Sequence, residues 1–194
     1  MTAAYAYPAP QTPAQVMTVA PGTPVHTRWG WVTAGVPVAS LVLTVVQLLA
    51  MSSILQDYFR ELSTIIAAQR TDPYAALEMT SLMSSMVPMT FLTMALSVLS
   101  WGLLALGVVA ASLDYKELGR LGYPRRFHWA WSFLTPVYPI GRAVVVHRQT
   151  GAGLATMWIS IVATATTFVL STAWSIWLTF AFFQQFIALR GTIA

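Results

Sequence analysis

Residues 148–190 read RQTGAGLATMWISIVATATTFVLSTAWSIWLTFAFFQQFIALR, with 41 consecutive uncharged residues between Arg148 and Arg190. A helix crosses a ~30 Å hydrocarbon core with ~20 apolar residues. This stretch therefore holds one crossing and a surplus. Its tryptophans divide it. Trp158 and Trp177 stand 19 residues apart, about 28 Å at ~1.5 Å per residue, which matches the two aromatic belts of one membrane. A span is expected over about 155–178. Residues 178–189, with Phe180, Phe182, Phe183 and Phe186, extend beyond it.

The rest of the chain follows the same pattern. Arg28 and Asp57 bracket 28 uncharged residues, Glu78 and Asp114 bracket 35, and Arg126 and Arg142 bracket 15. The first two gaps predict spans over about 31–55 and 87–112. Pro37 is a possible kink in the first. Past that span, Ile54, Leu55, Tyr58, Phe59, Leu62, Ile65 and Ile66 form one apolar face, opposite Gln56, Asp57, Arg60, Glu61 and Thr64. The helix is expected to leave the bilayer toward Gln69. Asp72-Pro73 then reads as a restart, an N-cap followed by proline in the first turn of a short helix.

The 15-residue gap is too short to span alone. Pro136 and Pro139 break it, and Arg142 interrupts the apolar run that follows. Broken backbone at membrane depth needs protein or water to satisfy it. A re-entrant or interfacial hairpin over about 129–148 is expected, with a fourth span as the alternative. The fold class is all-α integral membrane with three transmembrane helices.

Composition agrees. Lys and Arg number 10 and Asp and Glu 6, so 8% of residues are charged and 57% are hydrophobic. An ordinary soluble domain carries roughly 25% charge. Residues 1–28 form a Pro/Ala-rich tail, expected to be disordered, with Pro8, Pro10, Pro13, Pro21 and Pro24 and no Lys or Arg before Arg28. No cleavable signal peptide is apparent there. Residues 29–194 are expected to form one helical membrane domain.

Orientation comes from the basic residues. With three spans, Arg28, Lys116, Arg120, Arg125, Arg126, Arg142 and Arg148 share one side, seven of the 10, and Arg60, Arg70 and Arg190 the other. With four spans the split weakens to six and four. The N-terminus is therefore expected to be cytoplasmic, with the charged segment 114–153 on the same side.

That segment carries Phe127-His-Trp-Ala-Trp131, Pro136-Val-Tyr-Pro-Ile-Gly-Arg142, then Val144-Val-Val-His-Arg148 and Thr150-Gly-Ala-Gly-Leu154. Over about residues 114–160 the chain resembles small uncharacterised actinobacterial multi-pass membrane proteins that share these elements. The resemblance implies a multi-pass protein of the cell membrane and no particular activity.

Arg125, Arg126, His128, Arg142, His147 and Arg148 stand beside tryptophans at the cytoplasmic interface. Guanidinium groups suit phosphate, and that leaflet is anionic, so these six are the candidates for lipid or anion binding. The plainer alternative is that they set topology. Gly151-Ala-Gly153 ahead of a helix is a weak anion signal without a phosphate-loop pattern.

In the last span Ser160, Thr164, Thr167, Ser171 and Ser175 recur every three or four residues. Such a face is expected to pack against another helix. The alternative is a polar pathway in a small channel or transporter. Met79, Met83 and Met86 follow helical spacing and are read as packing rather than Cu(I) ligands.

Several chemistries lack their residues. There is no cysteine, and His26, His128 and His147 have no metal-ligand spacing. No acidic residue falls inside a predicted span, which disfavours ion-coupled transport. No hydrolase or nucleotide motif is present. The chain is expected not to be an enzyme, to hold no cofactor or metal and to bind no nucleic acid. It is expected to work through membrane lipids and a membrane-protein partner or homo-oligomer.

Overall fold

The computed structural model describes residues 19–20, 22–69 and 79–193. Among these residues four α-helices follow in order: α1 (Arg28–Gln69), α2 (Met79–Arg120), α3 (Val137–Thr150) and α4 (Ala155–Ile193). A 3₁₀ segment, Trp129–Leu134, precedes α3. The chain is an all-α, multi-pass membrane protein. Within α1, α2 and α4 the stretches Arg28–Ala68, Met86–Arg120 and Ala155–Ile187 are long and apolar enough to cross a bilayer.

Each long helix exceeds a bilayer crossing. The 42 residues of α1 measure about 63 Å, so it projects well past a ~30 Å core. Its continuation to Gln69 agrees with the amphipathic pattern after residue 54. Neither Pro37 in α1 nor Pro88 in α2 ends its helix. A separate short helix ahead of the second span is corrected: from Met79 onward the residues belong to α2 itself. The restart at Asp72-Pro73 lies outside the described residues, as do the side chains of Met79 and Met83.

α1 is central. It packs on both α2 and α4, which share no substantial packing with each other among the described residues. Small residues let α1 and α2 approach closely: Ala34, Ala110 and Ala111 are fully enclosed. A Cβ at Gly107 would stand 3.5 Å from Val36. In lipid this close packing replaces the hydrophobic force that drives association in water.

The start of α1, the end of α2, all of α3 and the start of α4 meet at one end of the bundle, here the proximal end. Val146 of α3 packs with Leu118 and Tyr123, and Val19 and Val25 close over them. The last residues of the expected tail therefore belong to the fold, while residues 1–18 lie outside the described set. α3 has 14 residues, about 21 Å, too short for a crossing. Gly151, with φ of 74°, ends it by donating its N–H to the His147 carbonyl at 2.7 Å. This is the left-handed cap that glycine adopts without strain.

At the opposite, distal end, α1 buries Leu55 and Ile65. Phe59 meets Phe182 of α4 edge-on, with ring centroids 5.4 Å apart.

Candidate functional site

The proximal end is organised around one carboxylate. Asp114 and Arg142 have side chains 0% and 1% exposed, and Arg142 Nε donates to Asp114 Oδ2 at 2.6 Å. Tyr138 donates its hydroxyl to the same oxygen at 2.8 Å. The other carboxylate oxygen accepts from the Thr27 hydroxyl.

Thr27 completes the arrangement. It precedes the first residue of α1, and its Oγ1 accepts from the Gly30 N–H at 2.9 Å, a helix N-cap. The same oxygen accepts from Arg142 Nη2 at 3.1 Å. One donated and two accepted bonds fill the capacity of a hydroxyl. The chain before α1, the end of α2 and α3 are thus tied into one buried polar cluster. Burying an ion pair is tolerated when geometry is good and the remaining polar atoms are bonded. Here Arg142 Nη1 alone is enclosed without a partner among the described residues.

Sequence and shape match at Gly30. A Cβ there would stand 2.7 Å from Arg142 Cζ and Nη2. Only glycine lets the guanidinium lie against the first turn of α1. Phe127 sits over Gly141 in the same way, where a Cβ would stand 2.5 Å from the ring.

Burial raises the Tyr138 phenol well above its ordinary value, helped by the Asp114 carboxylate and partly offset by Arg142. Tyr123, which donates to the Pro24 carbonyl at 3.0 Å, is also raised by burial, with Arg142 opposing. Both stay neutral hydrogen-bond donors near neutral pH.

The six residues expected to bind anions have different surroundings. Arg142 is buried and committed to Asp114. Arg126 lies over the Tyr115 ring, 4.5 Å from its centroid, and donates to the Tyr115 carbonyl. His128 packs on Tyr115 and Trp129, and its Nδ1 accepts from the Ala130 N–H to cap the 3₁₀ segment. Arg125 and Arg148 are exposed, and His147 is half-buried with Nδ1 enclosed. Asp114, Tyr138 and Thr27 were absent from the expected set. The available signal was Arg142 itself, a charge in an apolar run that demands a counter-charge.

The Ser/Thr line on α4 divides along its length. Ser160 is buried and Thr164 and Thr167 are half-buried, whereas Ser171 and Ser175 are exposed. Ser160, Thr167 and Ser175 each return their hydroxyl to a carbonyl four residues earlier. Between α1 and α4 a groove of about 220 Å³ is lined by residues that include Thr44, Gln47, Met51, Ser171, Trp174 and Ser175. Among the described residues no cluster of His, Asp and Glu is arranged to hold a metal ion.

Comparison with protein-family models, with curated proteins and with solved structures returned no match.

Proposed function

We propose that this is a non-enzymatic protein of the cell membrane that works through contacts with lipid and with another membrane protein. The observation that carries the reading is the distal aromatic face of α4. Phe180, Phe183 and Phe186 are each at least 60% exposed, on a helix that outruns its crossing. With Phe182 and Thr179 they border an apolar hollow of about 460 Å³. Aromatic faces of this kind are what protein interfaces cover. A photo-crosslinking residue at position 183 in native membranes tests it. A discrete protein adduct, either a partner or a second copy of this chain, supports the reading. Lipid adducts alone overturn it.

In the proposed topology the proximal end is cytoplasmic, where seven of the ten basic residues gather. The 3₁₀ segment and α3 form a re-entrant hairpin. Its support is a small hollow in which Ser132, Thr135 and Pro139 meet Val36, Leu104 and Gly107. Of those partners, Leu104 and Gly107 stand about two to three turns deeper than Asp114 along α2. Trp131, Phe133 and Leu134 turn outward and are exposed, as lipid-facing side chains would be.

A channel or transporter is the second reading, favoured by the α1/α4 groove with Thr44, Gln47, Ser171 and Ser175. Solute flux in proteoliposomes that is lost with Thr167→Leu and Ser171→Leu would select it over the contact reading.

A further inference from the structure

We infer that the proximal end carries a binding site for one anionic phospholipid, in a groove between the first turn of α1 and the last turns of α2. The groove has a volume of about 370 Å³ and is lined by Arg28, Trp29, Leu113, Lys116, Arg120 and Leu121, with Glu117. Lys116 and Arg120 are four residues apart on α2 and so share a face, and α1 brings Arg28 to them. All three cations are exposed. None makes an ion pair among the described residues, where the pairs are Arg60–Asp57 and Arg142–Asp114.

Three cations face one carboxylate, so the groove is positive. Glu117, whose Oε2 is enclosed without a hydrogen-bond partner among the described residues, offsets only one of the three positive charges. A phosphodiester is the complementary group. The apolar walls decide between a lipid and free phosphate. Leu113 lies on the bilayer side of Lys116, and Trp29 stands opposite on α1 with Arg28 5.2 Å above its ring. A free phosphate has no use for those surfaces, whereas a lipid sets its glycerol and first methylenes against them. The position fits as well, since both helix ends leave candidate spans here, where long basic side chains reach headgroups. Neither Arg125 nor Arg126 lines the groove; Arg126 lies against the neighbouring face of α2, over Tyr115 and Gly119.

Native mass spectrometry of delipidated, detergent-purified protein tests it, with phosphatidylglycerol, phosphatidylcholine and inorganic phosphate as probes. One phosphatidylglycerol retained per chain is expected, with phosphatidylcholine lost and phosphate unable to displace the lipid. Lys116→Gln with Arg120→Gln is expected to weaken retention roughly ten- to thirtyfold. Leu113→Trp fills the groove at unchanged charge and is expected to abolish the one-to-one complex. Arg125→Gln with Arg148→Gln is expected to leave it intact, since neither residue lines the groove. Equal retention of phosphatidylcholine overturns the proposal. So does displacement by phosphate, which makes the ligand a free anion, or equal loss in the Arg125/Arg148 variant, which makes the attraction diffuse. Thermal stabilisation of the wild-type chain by phosphatidylglycerol but not phosphatidylcholine is a readout that needs no variant to fold.

Discussion

Arg142 Nε donates to Asp114 Oδ2 at 2.6 Å, joining α3 to α2 across 28 positions of sequence, and both side chains are buried. The pair stands where the chain before α1, the end of α2 and α3 converge, so it sets how the hairpin segment sits on the spans. Removing one member strands the other charge in a closed space. Asp114→Ala is expected to destabilise by about 3–5 kcal/mol. Replacing both with apolar residues, Asp114→Leu with Arg142→Met, is expected to recover much of that loss. Thermal unfolding in detergent measures the cycle. A double variant destabilised by the sum of the two single losses would show that the pair is uncoupled.

Gly30 offers a test in which two physical effects oppose each other. Alanine inside a helix normally stabilises relative to glycine by roughly 0.5–1 kcal/mol. At Gly30 the new Cβ would stand 2.7 Å from the Arg142 guanidinium, whereas at Gly35 it meets nothing within 4 Å. Gly30→Ala is expected to destabilise by about 1–3 kcal/mol through overpacking, and Gly35→Ala to be neutral or stabilising. Melting temperatures of the two variants decide it. Matching shifts would mean that Arg142 yields freely.

Tyr138 gives the cluster a pH signature. Its ordinary phenol value is near 10, and the fold raises it by burial first and then by the adjacent Asp114 carboxylate, with Tyr115 also raising it and Arg142 opposing. A folded-state value above the unfolded one means that the native state holds the proton more tightly. The stability from this group is then complete below pH about 10 and lost as pH rises toward the folded value. Alkaline titration followed by tyrosinate absorbance is expected to show late-ionising tyrosines, one fewer in Tyr138→Phe. The same variant is expected to lose about 1.5–3 kcal/mol at neutral pH, the range for a hydrogen bond to a charged group. An unchanged count of late-ionising tyrosines would place Tyr138 in contact with water.

The long helices were legible because lipid imposes a simple rule, a charge-free run of sufficient length. The surplus after Trp177 and the apolar face after residue 54 likewise exposed the projections of α4 and α1. Asp114 was legible only as a boundary. A carboxylate at the end of a 35-residue uncharged gap looks like the start of a solvated segment, yet α2 continues to Arg120 and encloses it. What distinguishes a buried charge from a solvated one is its partner, and here the partner is distant in sequence. Thr27 was hidden for a different reason. It stands at the end of a proline-rich stretch whose composition reads as tail, although its hydroxyl caps α1 and bonds Asp114. The Ser/Thr line of α4 was visible as a pattern, but periodicity cannot say that its proximal part packs while Ser171 and Ser175 stay exposed.

Topology can be tested on the same chain, because the absence of cysteine gives a clean background for labelling. Thr27, Asp114 and Arg142 meet at one end, so α1 leaves that end, α2 returns to it and α4 leaves it again. α3 has 14 residues and contacts the proximal end through both Arg142 and Val146, so it adds no crossing. Single cysteines at Ser63, Ala152 and Thr192 report the two sides. An impermeant thiol reagent on intact cells is expected to label positions 63 and 192 and to spare 152, which becomes reactive only after the membrane is permeabilised. Labelling at 152 alone would keep the three spans and reverse the orientation, placing the basic proximal end outside. Labelling at 63 and 152 with protection at 192 would require a crossing between residues 63 and 152 beyond α2, and α3 would have to supply it. That last outcome contradicts the buried contact between α3 and the start of α1, so it would overturn the arrangement of the helices as well as their orientation.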